Sequence, residues 1–360
     1  MERIHNFSAG PGVLPEEVLY EAKEDLLNYK GKGKSVMEMS HRSKEYEEIF
    51  NDCVATMKRI LNVNDDYEVV FLGGGAHTQF LMTALNCIPD GKIGNYVLTG
   101  EWSSKAFKEA KKIGKQVHIA ASSAEKNFNY LPRSFDLSTP AAFLHYCSNN
   151  TIFGTEYRDD SVFPTEIPLI CDMSSDFLSR PLITQKYSLI YAGAQKNIGP
   201  AGATCIVINK KFAEGFVTEL PTMLEYQTHI KGGSMYNTPP TFPIYMIGLV
   251  ARWIEKQGLA KIEKNNIEKA GYIYDVIDSG DFYQGTVEKK IDRSLMNITF
   301  RLPNEELENK FLKEATALKI EGLKGHRSVG GCRASTYNAL PKKACETLAQ
   351  FMLDFQKKNS

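Results

Sequence analysis

"YAGAQKNIGPAG", Tyr191–Gly202, places one lysine, Lys196, among small residues, an amide and a Gly-Pro break. The run that precedes it, "SLIYAG", is short and apolar, so the lysine stands where a buried strand ends. Lysine ordinarily sits on a solvated face, yet no further charge follows until Lys210. Outward from this stretch, similar runs recur: "EVVFL", "NYVLTG", "QVHIA", "AAFLHYC", "PLICDM" and "TCIVIN". Between several of them lie segments with helical spacing, such as "GGGAHTQFLMTALN" and "SSKAFKEAKKIG". Continuous apolar runs alternating with helices predict an α/β fold with a mostly parallel, seven-stranded sheet flanked by helices. From Asp172 to Ile208 the strands lack long intervening helices, so the sheet is expected to be mixed there.

The rest of the chain hangs on this block. "NFSAGPGVLP" reads as a Gly/Pro-rich arm (residues 1–15). "EEVLYEAKEDLLNY" has Val18, Ala22, Leu26 and Tyr29 at helical spacing, and a second helix runs from Ser43, a plausible N-cap, to Leu61. Past "NTPPTFPIYMIGLVARWIEKQG" the pattern changes to long helices, one strand in "RSLMNITFRL", and a terminal helix from Lys342. This predicts a large domain over 16–257 and a smaller C-terminal α+β domain over 258–360.

Composition narrows the function. Of 360 residues, 43 are Lys or Arg and 43 Asp or Glu. A chain of zero net charge lacks the global footprint of a nucleic-acid binder, so any anion must be held by local clusters. No stretch approaches the ~20 apolar residues of a membrane helix, and the start has no apolar signal core. Seven scattered cysteines, with no CxxC, read as reduced thiols in a cytoplasmic protein. The seven histidines show no metal-binding spacing, so no metal site is expected.

Four features carry chemistry. Asp172 ends "IPLICD" at the carboxyl end of a strand, where open α/β sheets bind ligands, although a turn or cap role suits it equally. Lys196 follows 24 residues later, one strand-to-strand step. The pair is either a salt bridge or the two anchors of pyridoxal phosphate: a lysine for the aldehyde and a carboxylate for the pyridine nitrogen. The glycine loop in "FLGGGAHTQF" opens a helix whose free N–H groups favour an anion; it is neither GxGxxG nor a Walker motif, and a plain tight turn is the competing reading. Trp102 is able to stack on a planar ring or to fill a core. Finally, "SHR" (His41, Arg42), "KGHR" (His326, Arg327) and "GGCRAS" (Arg333) concentrate Arg and His beside glycines, which suits carboxylate and phosphate.

Taken together, "NFSAGPGVLP", "SVMEMSHRSKEY", "FLGGGAHTQF", "CDMSSDFLSRP", "YAGAQKNIGPAG", "GSMYNTPPTFPIY" and "GHRSVGGCRASTYNALP" resemble the phosphoserine aminotransferase family, a class V group of pyridoxal-phosphate enzymes with the aspartate-aminotransferase-type fold. The resemblance spans nearly the whole chain. It implies that Lys196 is the cofactor lysine, Asp172 the partner of the pyridine nitrogen and Trp102 the stacking ring. It assigns Thr151 to the cofactor's hydroxyl side, and Ala76, His77 and Gln195 to its phosphate. Asn237 and Thr238 would reach that phosphate from a second subunit of a homodimer with shared active sites. His41, Arg42, His326 and Arg327 would receive the substrate's distal phosphate or carboxylate, and Arg333 its α-carboxylate. The implied substrates are glutamate and a phosphorylated keto acid, 3-phosphonooxypyruvate, in serine biosynthesis, and the resemblance leaves open a second role with 4-phosphohydroxythreonine in pyridoxine biosynthesis. Two departures stand out: His77 where some relatives have arginine, and Ala9 where some have serine. The rival expectations are another class V transaminase, a desulfurase using Cys332, or a non-catalytic ligand-binding relative.

Overall fold

The computed structural model describes residues 3–360. In chain order its elements are β1 (His5–Asn6), α1 (Glu16–Asn28), α2 (Lys44–Ile60), β2 (Tyr67–Gly73), α3 (Ala76–Cys87), β3 (Ile93–Leu98), α4 (Glu101–Lys112), β4 (Val117–Ser122), β5 (Ala141–Cys147), β6 (Leu169–Asp172), β7 (Leu189–Gly193) and β8 (Ala203–Asn209). Then follow α5 (Lys210–Ala213), α6 (Tyr226–Lys231), α7 (Thr241–Gln257), α8 (Leu259–Asp278), β9 (Gln284–Gly285), β10 (Asn297–Arg301), α9 (Glu305–Ala317), β11 (Ile320–Glu321), β12 (Cys332–Ser335) and α10 (Lys342–Asn359).

Seven strands form the large sheet in the order β2-β8-β7-β6-β5-β3-β4. Pairings from β4 through β7 are parallel. Strand β8 runs antiparallel to both β7 and β2, because only a turn joins it to β7. The mixed region expected from the sequence is this one strand. Apolar residues on both faces explain the near-continuous runs: one face packs against α2 and α7 through residues such as Val69, Phe71, Cys171 and Ile190, the other against α3 and α4 through Val70, Ile170 and Tyr191. Ser43 caps α2, its hydroxyl accepting the Tyr46 N–H at 3.3 Å.

A three-stranded antiparallel sheet, β12-β10-β9, anchors a second core with α8, α9 and α10. The arm does not stand apart. Strand β1 pairs in parallel with β11, and Phe7 and Val13 pack into this second core. Helix α8 gives Ile262 to the large core and Ala270 and Ile273 to the small one. The carboxyl ends of β5, β6 and β7, the arm and β12 therefore converge on one place.

Candidate active site

Lys196 lies three residues beyond β7. Gly193 and Ala194 make its turn, and Ala194 N–H donates to the Ala203 carbonyl at 3.0 Å. The arm closes over it: Gly12 N–H donates to the Gln195 carbonyl at 2.7 Å. A Cβ on Gly12 would sit 2.8 Å from the Lys196 carbonyl and 2.7 Å from the Tyr337 ring, so only glycine fits. Lys196 Nζ donates to Thr151 Oγ1 at 2.7 Å and lies 5.6 Å from the Trp102 ring centroid. Burial lowers its pKa below the usual lysine value, against the pull of Asp172 and Cys147 and with help from Arg333. A lysine held this way is a better nucleophile than a solvated one.

Asp172 ends β6, opposite Tyr191 on β7. Burial raises its carboxyl, while bonds from Ser174 and the charge of Lys196 draw it back down. Ser174 N–H and Oγ–H both donate to Oδ1, at 2.9 and 2.6 Å. Among the described residues no hydrogen bond engages Oδ2. Ser174 was not singled out from the sequence. The signal was there: a serine two residues after an aspartate commonly folds back onto it.

Around this pair stand most of the other expected residues. Arg333 Nη1 donates to the Thr151 carbonyl at 3.0 Å, and its Nε is buried without a partner. Trp102 Nε1 is also buried and unpartnered, and His77 stands edge-on to its ring at 5.6 Å. Ala76 and His77 open α3, whose N-cap, Gly75, offers no side chain to the first N–H groups. Gln195 points its side chain back toward Gly193. Arg333 and His326 share a cleft of about 600 Å³ with Ile152, Phe153 and Phe128; burial and then the Arg333 charge lower the His326 pKa.

Four residues stand apart, and a fifth sits at the rim. No hydrogen bond or ion pair among the described residues joins His41, Arg42, Asn237 or Thr238 to this cluster. His41 and Arg42 precede α2, with Arg42 exposed. Asn237 and Thr238 line a separate cavity of about 360 Å³ with Gly73, Thr78 and Ser234. Arg327 is exposed beside His326. Cys332, the residue a persulfide chemistry would need, is a buried β12 residue whose thiol burial pushes up to about 12; it is neither exposed nor easily ionised. No group of described residues could hold a metal ion, and no helix is long and apolar enough to cross a membrane.

Residues 4–348 match the pattern of aminotransferase class V. The chain is 53% identical over 363 residues to phosphoserine aminotransferase of Geobacillus kaustophilus, covering 99% of each chain. It is 51% identical to that of Desulfatibacillum aliphaticivorans, again over 99% of each. The chain belongs to the phosphoserine aminotransferases. Among solved structures, phosphoserine aminotransferase from Bacillus circulans superposes with a TM-score of 0.96 at 48% identity over 100% of both chains. The pyridoxal-phosphate-bound enzyme of Trichomonas vaginalis does so at 0.92 and 38%, over 98% of this chain and 100% of that one. The fold expected from the sequence is that of this family, and the chain is an aminotransferase of a pyridoxal-phosphate-dependent class.

Proposed function

We propose that the protein binds pyridoxal 5'-phosphate and transfers the amino group of L-glutamate to 3-phosphonooxypyruvate, reversibly, giving O-phospho-L-serine and 2-oxoglutarate as a step of serine biosynthesis. One observation carries the reading most: a half-buried lysine and a buried aspartate just past and at the ends of adjacent parallel strands, with Asp172 Oδ2 free of hydrogen bonds among the described residues. The residues fit the cofactor. Lys196 would hold it covalently, Asp172 Oδ2 would accept from its ring nitrogen, and the unpartnered Trp102 would cover its face. Its phosphate suits the uncapped start of α3 at Ala76 and His77, with Gln195 beside it and Asn237 and Thr238 supplied by a second subunit.

When bound, the cofactor supplies the electron sink for charge that develops at the substrate Cα. The chain's own side chains do the rest. Arg333 pairs with the substrate α-carboxylate, its planar fork matching the two oxygens. Once free, Lys196 Nζ takes the Cα proton and carries it across the same face; a pKa lowered by burial suits an amine that must both accept and release a proton. Burial opposes the charged form of Asp172, and the bonds from Ser174 and the charge of Lys196 stabilise it. His326 and Arg327, with His41 and Arg42 of a second subunit, hold the distal anion. A phosphate in one half-reaction and a γ-carboxylate in the other make similar demands on such a pocket.

A coupled assay tests this directly. Amino donors compared should be O-phosphoserine, serine, alanine and 4-phosphohydroxythreonine. O-phosphoserine should lead by orders of magnitude over serine and alanine. Equal use of serine or alanine would sink the phosphate pocket, and a purified protein that takes up no yellow cofactor would sink the enzyme reading.

A further inference from the structure

Directly behind Asp172 lies a buried acid that this reaction does not use. Asp176 follows β6 within "DMSSD", its backbone N–H on the Met173 carbonyl at 3.2 Å. Its Oδ1 is hydrogen-bonded with Ser148 Oγ, just past β5. Its Oδ2 faces Arg180 Nη1 at 3.4 Å. Ser148 Oγ also lies 3.2 Å from the main-chain carbonyl of Asp172, which takes the Ser148 backbone N–H at 3.1 Å as well.

A serine hydroxyl carries one hydrogen. Here it stands between two acceptors, a carbonyl and a carboxyl group. With Asp176 ionised, one of the two contacts sets acceptor against acceptor in a buried site. With Asp176 protonated, its O–H donates to Ser148 Oγ and the Ser148 O–H donates to the Asp172 carbonyl, so both contacts are satisfied. The surrounding charges favour the same state. Among the described residues Arg180 is the only cation in hydrogen-bond reach of Asp176, and it is shared: Nη2 goes to the Tyr157 carbonyl at 3.0 Å and to Asp160 at 3.4 Å. Burial raises the Glu156 carboxyl as well, but Arg180, the Leu295 N–H it accepts at 2.6 Å and Arg158 all favour its charged form. Burial, opposed by Arg180 and reinforced by Glu156, pushes the Asp176 carboxyl up to about 7.

We propose that Asp176 carries a proton in the folded protein and acts as a positioning residue, passing a hydrogen bond through Ser148 to the main-chain carbonyl of Asp172. Its neutrality leaves Asp172 as the anion next to Lys196; an ionised Asp176 would raise the lysine. The positioning role rests on the part given to Asp172 above, whereas the proton itself does not.

Asp176→Asn supplies a neutral isostere whose amide N–H can donate to Ser148. The unfolded chain loses the Asp176 proton near the ordinary value of 3.8 and the folded chain only near 7, so the wild type loses stability as pH rises between these values and is level above them. The Asn variant escapes that loss. Denaturant unfolding of the two full-length proteins from pH 4 to 8 should therefore show the variant gaining on the wild type up to about pH 7, with no further gain beyond. Infrared spectra at pH 6 should show a protonated-carboxyl band in the wild type that Asp176→Asn removes. In the holoenzyme the Asn variant should keep kcat/KM within about twofold, while Asp176→Ala, lacking the donor, should lose about tenfold. An Asn variant that is less stable at neutral pH, with the carboxyl band intact, would mean an ion pair with Arg180 and overturn the proposal. So would the same gain and band loss in Glu156→Gln in place of Asp176→Asn. Inactivity as a transaminase, with the titration as described, would refute the function and leave the proton standing.

Discussion

Lys196 and Asp172 have opposite needs in the same buried site, and substitution should separate them. Lys196→Ala removes an amine whose charged form is disfavoured by burial. The variant should unfold at a midpoint no lower than the wild type's and yet have no measurable turnover; a variant with full activity would end the assignment of Lys196. Asp172→Asn keeps an oxygen for Ser174 but turns an acceptor into a donor toward the ring nitrogen. Turnover should fall at least about a hundredfold, the scale expected when a preorganised charge is removed from a reacting centre, while O-phosphoserine binding, measured by competition, changes little. His77 is the residue where this chain departs from some relatives. It packs edge-on to Trp102, so its imidazole already has a structural task next to whatever it does for an anion.

At the scale of elements, the N-terminal arm is the part whose role the sequence did not convey. "NFSAGPGVLP" reads only as a Gly/Pro-rich arm, whereas Gly12 is packed between the Lys196 carbonyl and the Tyr337 ring, and Tyr337 OH donates to the Ala9 carbonyl at 2.6 Å. Gly12→Ala should cost about 1–3 kcal/mol, typical of overpacking where backbone stands in the way. Thermal unfolding would register it, and unchanged stability would mean that the arm does not lie where described. The strands and helices were legible because burial on both faces and one-sided burial leave different periodicities, as in β5 "AAFLHYC" against α2. Lys196 and Asp172 were legible because each breaks an apolar run at its end. Ser148, Ser174 and Asp176 were less so: hydroxyls and a second acid in "CDMSSD" carry no period, and their partners lie 24 or more residues away or in a turn. The contact of β1 with β11 (residues 5–6 with 320–321) joins the arm to a distant segment of the chain, and no local pattern announces such a pairing.

For the whole molecule, the unanswered demand is the set of residues left outside the cluster. Arg42, Asn237 and Thr238 are exposed and His41 is half-buried; Asn237 and Thr238 line a cavity separate from the cleft of Arg333 and His326. We infer that two copies complete each other, each lending these four residues to its partner's Lys196 site. In a symmetric dimer the same surface serves both subunits, so each dimer would hold two composite sites. The arrangement predicts complementation. Lys196→Ala and Arg42→Ala homodimers should each be nearly inactive. Unfolded, mixed in equal amounts and refolded together, half of the dimers should be hybrids, and each hybrid should have one site with both defects and one with neither. Activity should then recover to about a quarter of the wild type. If each site were built from a single chain, a hybrid would contain only one Lys196→Ala site and one Arg42→Ala site, and mixing would restore nothing above the sum of the parents.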